Sequence, residues 1–160
     1  LGAANGYGWL GPLVVFIVVS CHLRFLASKG EAWLVSASVL VGTVAESVLV
    51  SSGVVVYRAD PPPVWLCPPW ISAMWANIAI TLRHSLGWLE PRSPLTWLIG
   101  GVGGPCAYYA GARLGAIEWD VPSAALAAFS LLWASAIPGL LWLSGKLVAS
   151  ERRSQFELVT

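Results

Sequence analysis

Charge is what this chain has least of. Nine lysines and arginines and eight aspartates and glutamates make up 11% of its 160 residues, where a soluble domain carries about 25%. With 57% hydrophobic residues and a mean hydropathy of +0.72, the composition is that of an integral membrane protein. The formal net charge of +1 leaves no basic surface for nucleic acid, so no such partner is expected. Cysteine is also scarce. Cys21 and Cys106 lie in apolar runs and Cys67 in a proline-rich stretch, which gives neither a disulfide framework nor metal-ligand spacing. All three read as small hydrophobes, and nothing in the chain implies a cofactor. Methionine is missing from the first position, where Leu-Gly stands; a leader removed by cleavage would leave such a start. Tryptophan, by contrast, is abundant at ten residues, as suits a chain with many turns at the headgroup boundary.

Apolar runs of spanning length follow one another. The first is expected over about 9–25, ending in His22 and Arg24, and the second over about 32–56, with Glu46 slightly past its middle. Its valines and serines do not oppose a helix, because a backbone in lipid must satisfy its own hydrogen bonds. The stretch Tyr57–Pro69, YRADPPPVWLCPP, is too rich in proline to continue a helix and reads as an extended connector or re-entrant cap. The third span, about 70–88, is WISAMWANIAITLRHSLGW. Its tryptophans stand at both ends and its polar groups between them. A charged side chain at the bilayer centre costs roughly 2.5–3.5 kcal/mol even on lenient scales, so one side of this helix is expected to face protein or trapped water. The fourth span, about 95–116, repeats a small residue every fourth position at Gly103, Ala107, Gly111 and Gly115, a smooth groove for a close helix neighbour. Pro105 is expected to kink it. The fifth runs over about 123–143. The expectation is an all-α polytopic transmembrane helix bundle of five spans in one domain, 1–145, with a fraying polar tail, 146–160.

Basic residues give the topology. Arg24, Lys29, Arg92, Lys146, Arg152 and Arg153 collect at one end, against Arg58, Arg113, Asp60, Glu118 and Asp120 at the other. The first end, and with it the C-terminus, is expected in the cytoplasm. Leu1 then falls outside, which suggests a preceding sixth helix.

Inside the spans the strongly polar residues are His22, Glu46, Asn77, Arg83 and His84. At about 1.5 Å per residue, His22, Arg83 and His84 share a depth on the cytoplasmic side, with Glu46 and Asn77 farther across. Asn77, Thr81, His84 and Ser85 share one helical face by their i, i+4, i+7, i+8 spacing. Two readings stay open. Glu46 and His84 form an acid–base pair or proton relay in a cavity, or the polar groups are interhelical glue, Glu46 pairing with Arg83 or a histidine. In either case Glu46, His84, Asn77 and His22 are expected to face the interior. Arg83 stands near the cytoplasmic end of its span, so the favoured arrangement sends it to the headgroups and gives Glu46 its hydrogen bonds from Asn77 or a histidine.

Three stretches, AESVLVSSGVVVYR, PPWISAMWANIAITLRHSLGWL and GGVGGPCAYYAGARLGAI, resemble a bacterial membrane family catalogued as domain of unknown function 2878. That resemblance implies an inner-membrane protein without an assigned biochemistry, a further N-terminal hydrophobic segment, and gene neighbours of the cyclopropane-synthase type. Family members often have Asn where Arg83 stands and Asp where Glu46 stands. The first expectation for function is an accessory or enzymatic component of membrane-lipid metabolism in the bacterial inner membrane. A structural subunit of a homo-oligomer or larger membrane complex comes second, and a small transporter or proton relay third; no internal repeat supports the last.

Overall fold

In a computed structural model of the chain, residues 5–57, 65–89, 91–118 and 123–157 are described, with the side chains of 123, 124, 152, 155 and 156 excepted. Arg58, Asp60 and the prolines 61–63, Glu90, Asp120 and Pro122 therefore lie outside the described residues, as do 1–4 and 158–160. Among the described residues five helices follow in order: α1 Leu10–Phe25, α2 Lys29–Ser51, α3 Pro69–His84, α4 Pro94–Arg113 and α5 Ser123–Glu157. Two of them, α2 and the Ala125–Glu151 part of α5, are long and apolar enough to cross a membrane, and α1 is a shorter apolar helix.

Local chemistry sets the helix starts. Ser28 stands extended before α2 and its Oγ accepts from the Glu31 backbone N–H at 3.3 Å, satisfying one of the first-turn donors. Ser93 does the same for α4 through Leu95 at 3.2 Å. Pro69 and Pro94 occupy the first turns of α3 and α4, where a missing N–H costs nothing. Gly115, at φ +79°, ends the α4 segment in a conformation that glycine adopts without strain.

The helices pack chiefly as α2 on α3 and α4 on α5, with α5 also against α2. Between them Trp75 and Trp133 stack at 4.5 Å and 11°, and Tyr108 stacks on Phe129 at 3.9 Å. Glycines admit these rings. A Cβ at Gly42 would overlap the Trp75 indole, and one at Gly100 or Gly104 would overlap the backbone or ring of Trp133. α1 lies on α3 through Val15, Val19 and Leu23, which share a face at four-residue spacing, and it leaves Phe16, Ile17 and Val18 exposed.

Two features differ from expectation. Val56–Tyr57 (β1) and Ile117–Glu118 (β2) form a short antiparallel ladder, Val56 opposite Glu118 and Tyr57 opposite Ile117, which joins the expected end of the second span and start of its connector to the stretch after the fourth span. The expected polar tail from Lys146 instead continues α5 to Glu157. Glu151 explains part of this, since its Oε1 accepts from the Gly30 N–H at 2.5 Å and ties the extension to the start of α2.

Candidate functional site

The chain's two histidines meet. His22 comes from the last turn of α1, His84 ends α3, and both turn Nε2 to the same oxygen of Glu31, Oε1, at 2.6 and 2.8 Å. Their rings are edge-to-face with centroids 5.1 Å apart. Glu31 sits in the first turn of α2 with its side chain 2% exposed, while His22 is 13% and His84 50% exposed, so the cluster opens to its surroundings along His84. Arg83 approaches the carboxylate's other oxygen, its Nε 3.5 Å from Oε2. The same guanidinium donates to Ser28 Oγ at 3.0 Å and to Glu151 Oε2 at 3.4 Å through Nη2. Its Nη1 is buried with no hydrogen-bond partner among the described residues. Beyond Arg83 lies a cleft of about 460 Å³, bounded by Gly87, Leu89 and Pro91 after α3 and by Leu141, Ser144, Val148 and Ala149 on α5. The one nitrogen-and-oxygen ligand group among the described residues is His22, Glu31 and His84, whose offered atoms all lie within 4.8 Å of one another.

Glu46 belongs to a different place. It is fully buried on α2 and accepts from the hydroxyls of Tyr57, at 2.7 Å, and of Tyr108. Burial above all pushes the Tyr57 phenol far up, so it stays a donor. Around it, Thr43 Oγ1 and Ser72 Oγ share a hydrogen bond at 2.7 Å, and the Cys67 N–H donates to Ser47 Oγ at 3.1 Å. Glu31 and Glu46 are fifteen positions apart on α2, roughly 22 Å along a helix. Neither the Glu46–His84 pair of one sequence reading nor the Glu46–Arg83 pair of the other is therefore formed, and the donors to Glu46 are two tyrosines rather than Asn77 or a histidine.

The remaining candidates fall as follows. Asn77, Thr81 and Ser85 are exposed, and the Thr81 hydroxyl returns to the Asn77 carbonyl at 2.9 Å. The expectation that Asn77 faces the interior is not met, because α3 turns Trp75, Ala76, Ala79 and Leu82 inward instead. Gly103 and Ala107 are exposed, and a Cβ at Gly103 would meet nothing within 4 Å. Gly111 abuts Ile117. Within this chain the close approach of α4 to α5 is made by Gly100 and Gly104, one position off the expected stripe at its start.

Glu31, Ser28, Glu151, Tyr57 and Tyr108 are absent from the sequence-based candidates. For Glu31 a signal existed, since Ser28-Lys29-Gly30-Glu31 has the S-x-x-E spacing of a capping box and so puts the glutamate inside the helix. For Tyr57 there was none short of knowing the β1–β2 ladder, and for Tyr108 none, since an apolar helix does not mark which face turns inward.

A family model described as "Protein of unknown function (DUF2878)" matches residues 1–139. The chain belongs to that family. The match takes in the whole His22–Glu31–His84 cluster and both tyrosine partners of Glu46, and stops before Glu151. No curated protein and no solved structure matches the chain.

Proposed function

We propose that this family member is a multi-pass protein of the bacterial inner membrane that acts on, or assists an enzyme acting on, a membrane lipid, with His22, Glu31 and His84 as its reaction centre at the cytoplasmic boundary. The observation that carries this reading is the meeting of both histidines on one buried carboxylate beside the Arg83 cleft. An imidazole oriented by a carboxylate supports proton transfer or metal ligation. The cleft offers a guanidinium on one wall and Leu89, Leu141 and Val148 on the others, a combination suited to an anionic headgroup with its first acyl carbons. Basic residues at the same end, Arg24, Lys29, Arg92 and Lys146, support a cytoplasmic placement.

The test is lipid profiling of a deletion strain complemented with the wild-type gene or with His84→Ala. The wild type is expected to restore the parental profile and His84→Ala, accumulating to the same level, to leave it altered. An unchanged profile in the deletion strain defeats the reading.

A second reading, a structural subunit of a homo-oligomer or larger complex, draws on α4, where exposed Gly103 and Ala107 adjoin exposed Leu98 and Val102. Crosslinking through cysteines placed at Gly103 and Ala107 in native membranes tests it, a specific dimer favouring it.

A further inference from the structure

We propose that His22 Nε2, His84 Nε2 and Glu31 Oε1 bind one divalent first-row transition metal ion, of the zinc, iron(II) or cobalt(II) class. The inference shares the site of the proposed function but needs no lipid substrate, so a failure of metal binding and an unchanged lipid profile are separate results.

Geometry carries it. An acid–base centre needs one imidazole held by its carboxylate, yet here two rings from different helices aim the same nitrogen at the same oxygen, at 2.6 and 2.8 Å. In a tetrahedral site with ligand bonds of about 2.0–2.2 Å, neighbouring donor atoms stand about 3.3–3.6 Å apart, so from donor atoms that all lie within 4.8 Å of one another each ring has to withdraw from Oε1 by up to about 1 Å to admit an ion. His84 is half exposed and ends its helix, which leaves it free to make that shift and leaves an entry path. Two imidazoles and a carboxylate are a donor set that suits first-row ions, and three protein ligands leave a position open for water or substrate.

The surroundings supply the support such a site needs. Oε1 takes both imidazoles, while Oε2 is approached by Arg83 at 3.5 Å, so the carboxylate is held from behind without losing the oxygen directed at the ion. Arg83 in turn leans on Glu151 and Ser28, and Glu151 balances its charge, leaving that of Glu31 for the metal. Groups of this kind fix ligand orientation in metal sites. On binding, any proton on either Nε2 leaves, and the ion takes its place.

The experiment uses the full chain in detergent, without a polyhistidine tag and stripped with chelator, titrated with Co²⁺ and then with Zn²⁺. The expected result is one equivalent of Co²⁺ with visible d–d absorption that Zn²⁺ abolishes. His84→Ala, His22→Ala and Glu31→Gln should each weaken binding at least about tenfold, the scale known for losing even a supporting partner, and Gly103→Ala should leave it unchanged. Absence of saturable binding by the wild type, or His84→Ala binding as well as the wild type, overturns the proposal. Should the variants fail to fold, carbethoxylation of His84 in the wild-type protein decides. Protection by one equivalent of Zn²⁺ supports the site, and an unchanged rate of modification overturns it.

Discussion

Glu46 is fully buried and hydrogen-bonded at both carboxylate oxygens, and its neighbours say what it is for. With two phenol hydroxyls directed at those oxygens, it joins the C-terminal half of α2 to β1 and α4. Losing a donor to a buried acceptor costs about 1–3 kcal/mol. Tyr108→Phe is therefore expected to destabilise the protein by that amount, and Glu46→Gln by a similar amount, because its new NH₂ has to face a tyrosine built to donate. His84→Ala removes one of the partners of the buried Glu31 carboxylate, which keeps His22 and Arg83, and should cost about 1 kcal/mol, the low end of that range. Reversible unfolding in mixed micelles measures all three, and a Glu46→Gln variant as stable as the wild type would contradict the structural role. Depth along the helices was readable from the sequence, which brought His22, Arg83 and His84 to one level. Partners were not. Glu31 stands just before the expected second span, although its S-x-x-E position places it in the first turn of α2, and Tyr57 comes from a two-residue strand paired with β2 that the sequence does not announce.

Among the elements, helix existence was legible throughout, since apolar runs separated by Pro, Gly and charge leave few alternatives in a chain of this composition. Facing direction was harder to read, because a helix apolar on every side offers no amphipathic stripe to orient it. α4 illustrates the point. The Gly103–Gly115 stripe was visible in the sequence, but the rings that need room, Trp75 and Trp133, lie against Gly42, Gly100 and Gly104, and which side of α4 meets α5 depends on Trp133 lying in the way. Gly42→Ala is expected to destabilise the bundle by about 1–3 kcal/mol through overpacking against Trp75. Gly103→Ala should be neutral or stabilise by up to about 1 kcal/mol, the ordinary helix preference for alanine. The same unfolding assay measures both, and a destabilised Gly103→Ala variant would mean that α4 presents its other face to α5.

At the scale of the whole molecule, the proposed membrane topology accounts for a surface that water would not tolerate. Leu13, Phe16 and Ile17 on α1, Leu40, Val44 and Val48 on α2, and Leu98 and Val102 on α4 are all exposed, and large exposed apolar surfaces mark contact with a membrane or a partner. The cysteines report on it. Cys21 and Cys106 are exposed on α1 and α4, whereas Cys67 is buried. Burial chiefly, with the Glu46 charge adding to it, pushes the Cys67 thiol up. A raised pKa keeps the thiol protonated as pH climbs through the ordinary range near 8.5, so Cys67 should lag any free thiol in alkylation at every pH in that range. Cys21 and Cys106 should also resist a water-soluble maleimide in intact membrane vesicles, but because lipid covers them, and all three should react once the chain is unfolded. Orientation is then read from new cysteines at exposed sites on opposite ends. In right-side-out vesicles an impermeant maleimide is expected to label Trp65→Cys and spare Arg92→Cys, and in inverted vesicles to do the reverse. Rapid labelling of native Cys21 and Cys106 in vesicles would remove the lipid-facing surface, and with it the multi-pass topology on which the boundary placement of His22, Glu31 and His84 depends.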